Sequence, residues 1–322
     1  MDYQKEICVG GRSIGAHTLL FWCVVIVIVS FNIQFDLTQD IGAYYRNIYD
    51  YSVSNEFTND VVKQFWYRFF LYPLYSLTYD IDLTLAIVKS IIMLLFFISQ
   101  KKFIWSNLDA SLLIFVVVVT PALAENMEEY LRQGMAIGIF LLALSTPQSA
   151  VRLALVGIST FLHYMTAFLL ISTIGGVYLG KFIANRENQN AFVVSPALVV
   201  MVAIGAGVFG FLGSKFIFVL LFTDIPNFLG GDRSNVFAFL YLASYTSYVG
   251  IQAAYYRSIP HASVFVGLII VSASYSAILD FGRAISLIAP LHLHAALTLY
   301  LFKDRVRDLL VMAVAGSVFL LA

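Results

Sequence analysis

The chain has 322 residues, of which 60% are hydrophobic and only 12% are charged, and its mean hydropathy is +0.85. Soluble globular proteins carry about 25% charged residues, so this composition excludes a disordered chain, a nucleic-acid-binding protein and an ordinary soluble enzyme. The 19 basic and 19 acidic residues cancel, and the 5 histidines and 2 cysteines show neither metal-ligand spacing nor a disulfide framework.

The remaining class is an all-α, polytopic integral membrane helical bundle. Apolar runs predict about 10 or 11 membrane segments, some of them short or re-entrant, within a single transmembrane domain over residues 1–322. The first run, Ala16 to Ile33, is long for the apolar part of a signal peptide and no A-x-A site follows it, so we expect a retained helix. The later runs are Leu83–Ser99, Ser111–Ala124, Arg132–Ser145, Val151–Leu162, Met165–Leu179, Phe192–Leu212, Val236–Ala254, Ser263–Leu279, Ala284–Leu301 and Leu309–Ala322.

An aromatic segment, Phe65 to Tyr79, lies between the first two runs. It contains Arg68 and Pro73, which favours an interfacial or re-entrant helix over a full span.

Basic residues predict the orientation of the spans. With the N-terminus in the cytoplasm, most lysines and arginines outside the spans fall on the cytoplasmic side, as the positive-inside rule requires. The two sizeable polar loops, 35–64 and 213–235, then face outward. The short runs on either side of His163 must enter the membrane and come back, which places His163 at or near an outer turn.

Four arginines are candidates for binding an anion at the outer face. Arg132 and Arg283 begin predicted spans there, and Arg46 and Arg233 lie in the outer loops. A guanidinium stays charged in apolar surroundings and binds phosphate oxygens bidentately, which suits a lipid-linked diphosphate. The alternative is that these arginines snorkel to the interface or pair with acidic neighbours. Those neighbours are Glu128, Glu129 and Asp280.

Two further side chains are candidates for acid–base chemistry. His163 lies in an apolar run, so it is either a hydrogen-bonded core residue or a general base or donor to a substrate. In the first outer loop, Asp36, Asp40 and Tyr44 are spaced four apart and would share one helix face. Asp40 is the predicted carboxylate that polarises a sugar hydroxyl, with tyrosines as a platform for the sugar. A helix cap and an interfacial aromatic belt are the alternatives for this loop.

Lys89 is the one charged residue inside a predicted span and away from its ends, which suggests an intramembrane ion pair with a partner that the sequence does not identify. His292 and His294 are separated by one residue, so they point in different directions on a helix and do not form a ligand pair.

The segments Tyr130–Ile139 and Thr160–Ala167 together resemble the Arg-Gln and His motifs of the EpsG family. This family comprises polytopic proteins of bacterial exopolysaccharide and O-antigen clusters, related in role to Wzy-type polymerases. The loop from Asp40 to Tyr44 and the late outer arginine, Arg283, also resemble features of the family.

The resemblance implies a membrane glycosyltransferase that polymerises undecaprenyl-diphosphate-linked oligosaccharide repeat units at the outer face of the bacterial inner membrane. Arg132 and Arg283 would bind the diphosphate, and His163 or Asp40 would remove the acceptor hydroxyl proton. Contacts to sugar or lipid headgroup are expected from Tyr44, Tyr45, Arg46, Tyr130, Gln133 and Arg233. The expected partners are the lipid-linked oligosaccharide, the bilayer and a chain-length regulator; no metal, cofactor or nucleic acid is expected.

Two other functions compete with this interpretation. A transporter or flippase of lipid-linked sugars needs a polar path across the membrane, whereas the predicted charges collect at the outer face. A polysaccharide acyltransferase also uses an intramembrane histidine, but it needs an acyl-donor site facing the cytosol, for which no residue cluster stands out. A structural scaffold would leave the arginines at one membrane level unexplained.

Overall fold

The computed structural model describes residues 15–32, 39–54, 65–101, 103–104, 107–120, 123–124, 126, 130–184, 198–208, 236–274 and 281–298. All regular structure within these residues is helical, which confirms the predicted all-α class for this part of the chain. The chain divides into two compact units, Met1–Thr166 and Ala167–Ala322.

The helices of the first unit are α1 Ala16–Asn32, α2 Gln39–Ser54, α3 Tyr72–Thr78, α4 Ile81–Gln100, α5 Asn107–Val119, α6 Leu131–Ser145 and α7 Ser149–Leu162. A helix that begins at the boundary, α8 Thr166–Ala184, leads into the second unit. There the described helices are α9 Leu198–Val208, α10 Val236–Tyr256, α11 Ile259–Ser274 and α12 Phe281–Thr298. Each predicted apolar run therefore overlaps a helix, except Leu309–Ala322, which lies outside the described residues.

Two helices are long and apolar enough to cross a bilayer, Ile81–Gln100 and Thr166–Ile183. A helix of about 20 residues spans the roughly 30 Å hydrocarbon core because each residue adds 1.5 Å. Seven shorter apolar stretches of 10 to 17 residues lie among the described helices, and α10 has 21 residues without meeting the same criterion of apolarity. Length and composition alone thus identify two candidate spans.

The aromatic segment between α2 and α4 is helical, as predicted. A π-helical turn, Tyr67–Leu71, continues into α3, and Pro73 stands in the first turn of α3, where a missing backbone N–H is tolerated. Tyr79 ends α3 in a left-handed conformation (φ 54°). The Asp80 carboxylate then caps α4 by accepting a hydrogen bond from the Leu83 N–H at 3.1 Å.

Helix α4 is the centre of the first unit, because it contacts α1, α3 and α6 and is buried around most of its circumference. Its contact with α6 is close: a Cβ atom on Gly138 would lie 2.9 Å from the Leu95 Cβ. Further along both helices, the Ser145 hydroxyl donates to the Ser99 carbonyl at 2.5 Å. From the first contact to the second, the residue number increases along both α4 and α6. The two helices therefore run parallel.

Helices α6 and α7 form an antiparallel hairpin. Ser159 Oγ donates to the Ala136 carbonyl at 2.8 Å, and Arg152 Nη2 donates to the Thr146 carbonyl at 2.7 Å. The beginning of α4, the beginning of α6 and the end of α7 therefore lie at one end of the first unit. We name this the Arg132 end, after the residue in the first turn of α6.

Three helices of the second unit meet at a buried polar cluster. Tyr245 Oη on α10 lies 2.6 Å from His292 Nδ1 on α12, and the His261 ring on α11 contacts the edge of the His292 ring, with centroids 6.0 Å apart. Both histidines are fully buried. Elsewhere in this unit, Gly176 on α8 lies directly against the Ser263 backbone on α11, a close approach that small residues permit between apolar helices.

We expect Tyr245→Phe to destabilise the protein by about 1–3 kcal/mol, because it leaves a buried imidazole nitrogen without this hydrogen bond. Denaturant-induced unfolding of the detergent-solubilised protein measures the change. The matched control is Tyr255→Phe on the same helix. The Tyr255 side chain is 77% exposed, so this variant should unfold like the wild type. Equal stability of the two variants would show that the Tyr245–His292 contact does not hold α10 to α12.

Candidate functional site

The antiparallel hairpin brings the predicted arginine and histidine to the same level. The hydrogen bond between α6 and α7 joins Ala136 and Ser159. Arg132 lies four residues before Ala136, and His163 lies four residues after Ser159. Four helical residues rise about 6 Å, so Arg132 and His163 extend equally far beyond that bond toward the Arg132 end. Both side chains are half-buried.

His163 is held by backbone on both sides. Its N–H donates to the Ser159 carbonyl at 3.1 Å, and its own carbonyl accepts hydrogen bonds from the Thr166 N–H at 3.0 Å and the Thr166 hydroxyl at 2.8 Å. The residue thus ends α7 in an extended conformation and begins the turn into α8. This confirms the predicted turn at His163, and Nδ1 of its ring is buried.

Helix α2 lies against the beginning of α6. The buried Tyr44 hydroxyl accepts a hydrogen bond from the Arg132 backbone N–H at 3.4 Å, and its ring contacts Tyr67 with centroids 6.1 Å apart. The Tyr67 hydroxyl in turn accepts from Asn47 Nδ2 at 2.9 Å. Residues 39–54 of the first predicted outer loop therefore form a helix whose buried face contacts the turn that carries Arg132.

Other predicted residues of α2 have different surroundings. The Tyr45 hydroxyl donates to the Asp82 carboxylate in the first turn of α4, which ties α2 to a second helix. Arg46 is exposed, and its Nε donates to the Gly42 carbonyl of its own helix at 3.4 Å. Asp40 belongs to α2, four residues before Tyr44 as the sequence predicts, but its side chain lies outside the described part of the structure.

The first turn of α6 packs tightly on Asn126. The buried Gln133 amide donates from Nε2 to Asn126 Oδ1 at 3.2 Å. A Cβ atom on Gly134 would overlap the Asn126 carbonyl oxygen, so only glycine fits there. Tyr130 precedes the helix and is half-buried, with its carbonyl accepting from the Gly134 N–H at 2.7 Å. Gln133 and Gly134 thus fix the turn from which the Arg132 side chain extends.

An aromatic pair that the sequence did not identify joins the π-helical segment to α7. The Phe65 and Phe161 rings pack edge to face, with centroids 4.8 Å apart. Phe161 is two residues before His163, so this contact lies beside the predicted base. The only sequence signal was the density of aromatic residues in both segments, which does not indicate which rings meet.

The remaining predicted residues do not extend this cluster. Arg283 lies in the first turn of α12 in the second unit, and its side chain is not among the described ones. Arg233 and Asp36 lie outside the described residues. Among the described residues, no three His, Cys, Asp or Glu side chains are grouped so that they could hold a metal ion.

The described groups at the Arg132 end are suited to binding an anion and moving a proton. Arg132 and His163 lie at the same level, and the Tyr44 hydroxyl contacts the Arg132 backbone N–H. The two carboxylates at the beginning of α4 are engaged with the protein, since Asp80 caps α4 and Asp82 accepts from Tyr45. The arrangement can therefore neutralise phosphate oxygens at Arg132 and accept a hydroxyl proton at His163.

No protein-family model matches the chain, and comparisons with characterised proteins and with solved structures give no significant match. The EpsG resemblance therefore rests on the motifs alone.

We expect Gly134→Ala to lower stability by about 1–3 kcal/mol, because the added methyl group forces the first turn of α6 away from Asn126. Thermal unfolding in detergent measures the loss. Gly157→Ala on α7 is the matched control, since nothing lies within 4 Å of its Cβ position and alanine favours a helix over glycine. If Gly134→Ala melts with or above Gly157→Ala, the close packing of this turn is wrong.

Proposed function

We propose that the protein is a multi-pass inner-membrane glycosyltransferase that polymerises undecaprenyl-diphosphate-linked oligosaccharide repeat units, as the EpsG-like motifs suggest. The observation that carries the proposal is the α6–α7 hairpin, in which one hydrogen bond between Ser159 and Ala136 sets Arg132 and His163 at the same end. The two motifs lie about 30 residues apart in sequence. Their convergence is what a shared diphosphate and acceptor site requires.

The surface of the helices supports a bilayer environment for more than the two long helices. Leu20 and Phe21 on α1, Leu153 on α7 and Tyr178 and Phe182 on α8 are each more than half exposed. Large apolar side chains left in water cost about 25 cal/mol per Å² of apolar surface, so rows of them on several helices favour contact with lipid. A multi-pass arrangement with a cytoplasmic N-terminus places these apolar faces in lipid. It also agrees with the distribution of basic residues in the sequence.

The proposed reaction needs no nucleotide-sugar domain, because the donor sugar already carries a diphosphate leaving group. The acceptor hydroxyl oxygen attacks the anomeric carbon of the growing glycan and forms the new glycosidic bond. The bond between that carbon and the phosphate oxygen breaks, and undecaprenyl diphosphate leaves with the electron pair. The hydroxyl proton passes to His163, or to Asp40, and Arg132 stabilises the charge on the departing diphosphate.

The backbone geometry suits these roles. His163 has its N–H and its carbonyl both bonded to neighbouring helices, so the imidazole extends from a fixed support. Arg132 extends from a turn that Asn126, Gly134 and Tyr44 hold in place. Preorganised groups of this kind stabilise developing charge without having to reorganise during the reaction.

A second candidate function is supported by the buried polar cluster in the second unit. Ser258 Oγ lies 2.9 Å from His261 Nδ1, and the cluster continues through His292 to Tyr245. These contacts connect Ser258, just beyond the end of α10, with Tyr245 inside that helix. A row of polar groups through apolar helices is a feature of transporters, so a flippase of lipid-linked sugars is the alternative.

A gel of surface polysaccharide distinguishes the two functions. We expect a strain lacking the gene to carry single repeat units on the lipid anchor, and wild-type protein to restore the ladder. Loss of a flippase would instead remove the outward-facing repeat unit altogether. An unchanged ladder in the deletion strain would contradict both.

The same strain tests the site. We expect Arg132→Lys to abolish the ladder at normal protein levels, because lysine keeps the charge but loses bidentate phosphate binding. We expect the same of His163→Ala, because alanine cannot accept the hydroxyl proton. Arg152→Lys is the matched control at the opposite end of the α6–α7 hairpin, where lysine can still donate to the Thr146 carbonyl, so it should restore the ladder. Full ladders from both Arg132→Lys and His163→Ala would remove the site from the proposal.

A further inference from the structure

Arg68 is an exposed arginine on the π-helical turn Tyr67–Leu71, and the proposed reaction gives it no role. Among the described residues, its guanidinium has one interaction, with the face of the Phe69 ring, whose centroid lies 5.9 Å from Cζ. A guanidinium over an aromatic ring keeps its charge and its N–H donors. The charge of Arg68 is therefore available to a ligand, because no described carboxylate pairs with it.

The contacts on either side of Arg68 place it at the Arg132 end. Buried Tyr67 packs on α2, the helix that bonds the turn carrying Arg132. Phe65 packs on the end of α7 that leads into His163. Arg68 directly follows Tyr67 and comes three residues after Phe65. By its helical position, it lies between the side of the segment that faces α2 and the side that faces α7.

A row of aromatic rings extends from the Arg68 guanidinium to α7. Phe69 is 64% exposed, and the centroid of its ring lies 5.1 Å from that of Phe65. The Phe65 centroid lies 4.8 Å from that of Phe161, which is 46% exposed. We name Phe65, Phe69 and Phe161 the aromatic row. A cation at one end of an exposed apolar row matches an amphiphile that has an anionic head and a hydrocarbon chain.

We infer that Arg68 and the aromatic row form a second prenyl diphosphate site, separate from Arg132. The rings of Tyr67 and Tyr44 lie between the segment that carries Arg68 and the Arg132 turn. The inference rests on the proposed function, in which both the growing glycan and the acceptor repeat unit are linked to undecaprenyl diphosphate.

The acceptor supplies the diphosphate that this second site binds. Arg132 is assigned to the diphosphate that departs from the growing glycan. The diphosphate of the acceptor does not react, and an oligosaccharide separates it from the attacking hydroxyl, so it needs a cation of its own at some distance from the departing group. Arg68 binds this non-reacting diphosphate, and the aromatic row contacts its isoprene units.

Native mass spectrometry of the purified full-length protein in detergent tests the inference by counting bound farnesyl diphosphate molecules. We expect the wild type to bind two molecules, and Arg68→Gln to bind one at the same ligand concentration, because the second site is weakened by about 10-fold or more. Lys101→Gln is the matched control. It removes an exposed positive charge just beyond the end of α4, at the opposite end of the first unit, and should bind two.

A second pair of variants tests the aromatic row independently of the charge. We expect Phe69→Ala to weaken the second site by about 5-fold, because the isoprene chain loses an aromatic surface. Phe115→Ala on α5 removes another exposed ring of the first unit, 56% exposed, and should bind as the wild type does.

Two farnesyl diphosphate molecules bound equally well by a folded Arg68→Gln protein would overturn the inference. A single molecule bound by the wild type also overturns it, even where the polysaccharide ladder depends on the gene. Phosphatidylglycerol distinguishes the source of the phosphate: if it displaces the second molecule at equal concentration, Arg68 binds bulk phospholipid and the inference is wrong. Conversely, an Arg68-dependent second molecule with an unchanged ladder in the deletion strain would support the site and refute the polymerase.

Discussion

One hydrogen bond, from Ser159 Oγ to the Ala136 carbonyl, sets the register of the α6–α7 hairpin, and the candidate site depends on that register. Between apolar helices, burial alone discriminates weakly among sliding positions, because many registers bury similar side chains. A polar contact between helices, worth about 0.6–2 kcal/mol in apolar surroundings, selects one of them. A slip by one turn would separate Arg132 from His163 along the helix axis by about 5 Å.

The central helix α4 extends this arrangement to the rest of the first unit. Its close approach to α6 at Gly138 and its bond to Ser145 hold the two helices parallel, so both begin at the Arg132 end. Helix α2 then covers this end through Tyr44 and Tyr45, which reach α6 and α4 respectively. The hydroxyl contacts of Tyr44 and Tyr45 thus hold the short helix α2 against the turn that carries Arg132.

Hydropathy predicted the helices well because the length and apolarity of a membrane-type run are local properties. The run predicted from Val236 to Ala254 is the helix Val236–Tyr256, and the break at His163 lies where the sequence placed a turn. The pairing of Arg132 with His163 was suggested by motif resemblance, and the hairpin explains how residues so far apart in sequence reach one level.

Relations between helices were beyond sequence reasoning. A 3.6-residue period shows which residues share a face of a helix. It does not show which neighbouring helix that face contacts, or the relative position of the two helices along their axes. Gln133 proved to be buried against Asn126, a residue that no pattern singled out. The polar cluster of Tyr245, His261 and His292 was missed because its members come from three different helices.

Reconstitution tests the central claim most directly. Purified protein in liposomes is supplied with a synthetic undecaprenyl-diphosphate-linked repeat unit, and product length and released undecaprenyl diphosphate are measured together. The account predicts elongated glycan with one undecaprenyl diphosphate released for each new glycosidic bond, and neither product from Arg132→Lys protein. Repeat units that cross the liposome membrane without elongation would contradict it and establish transport instead.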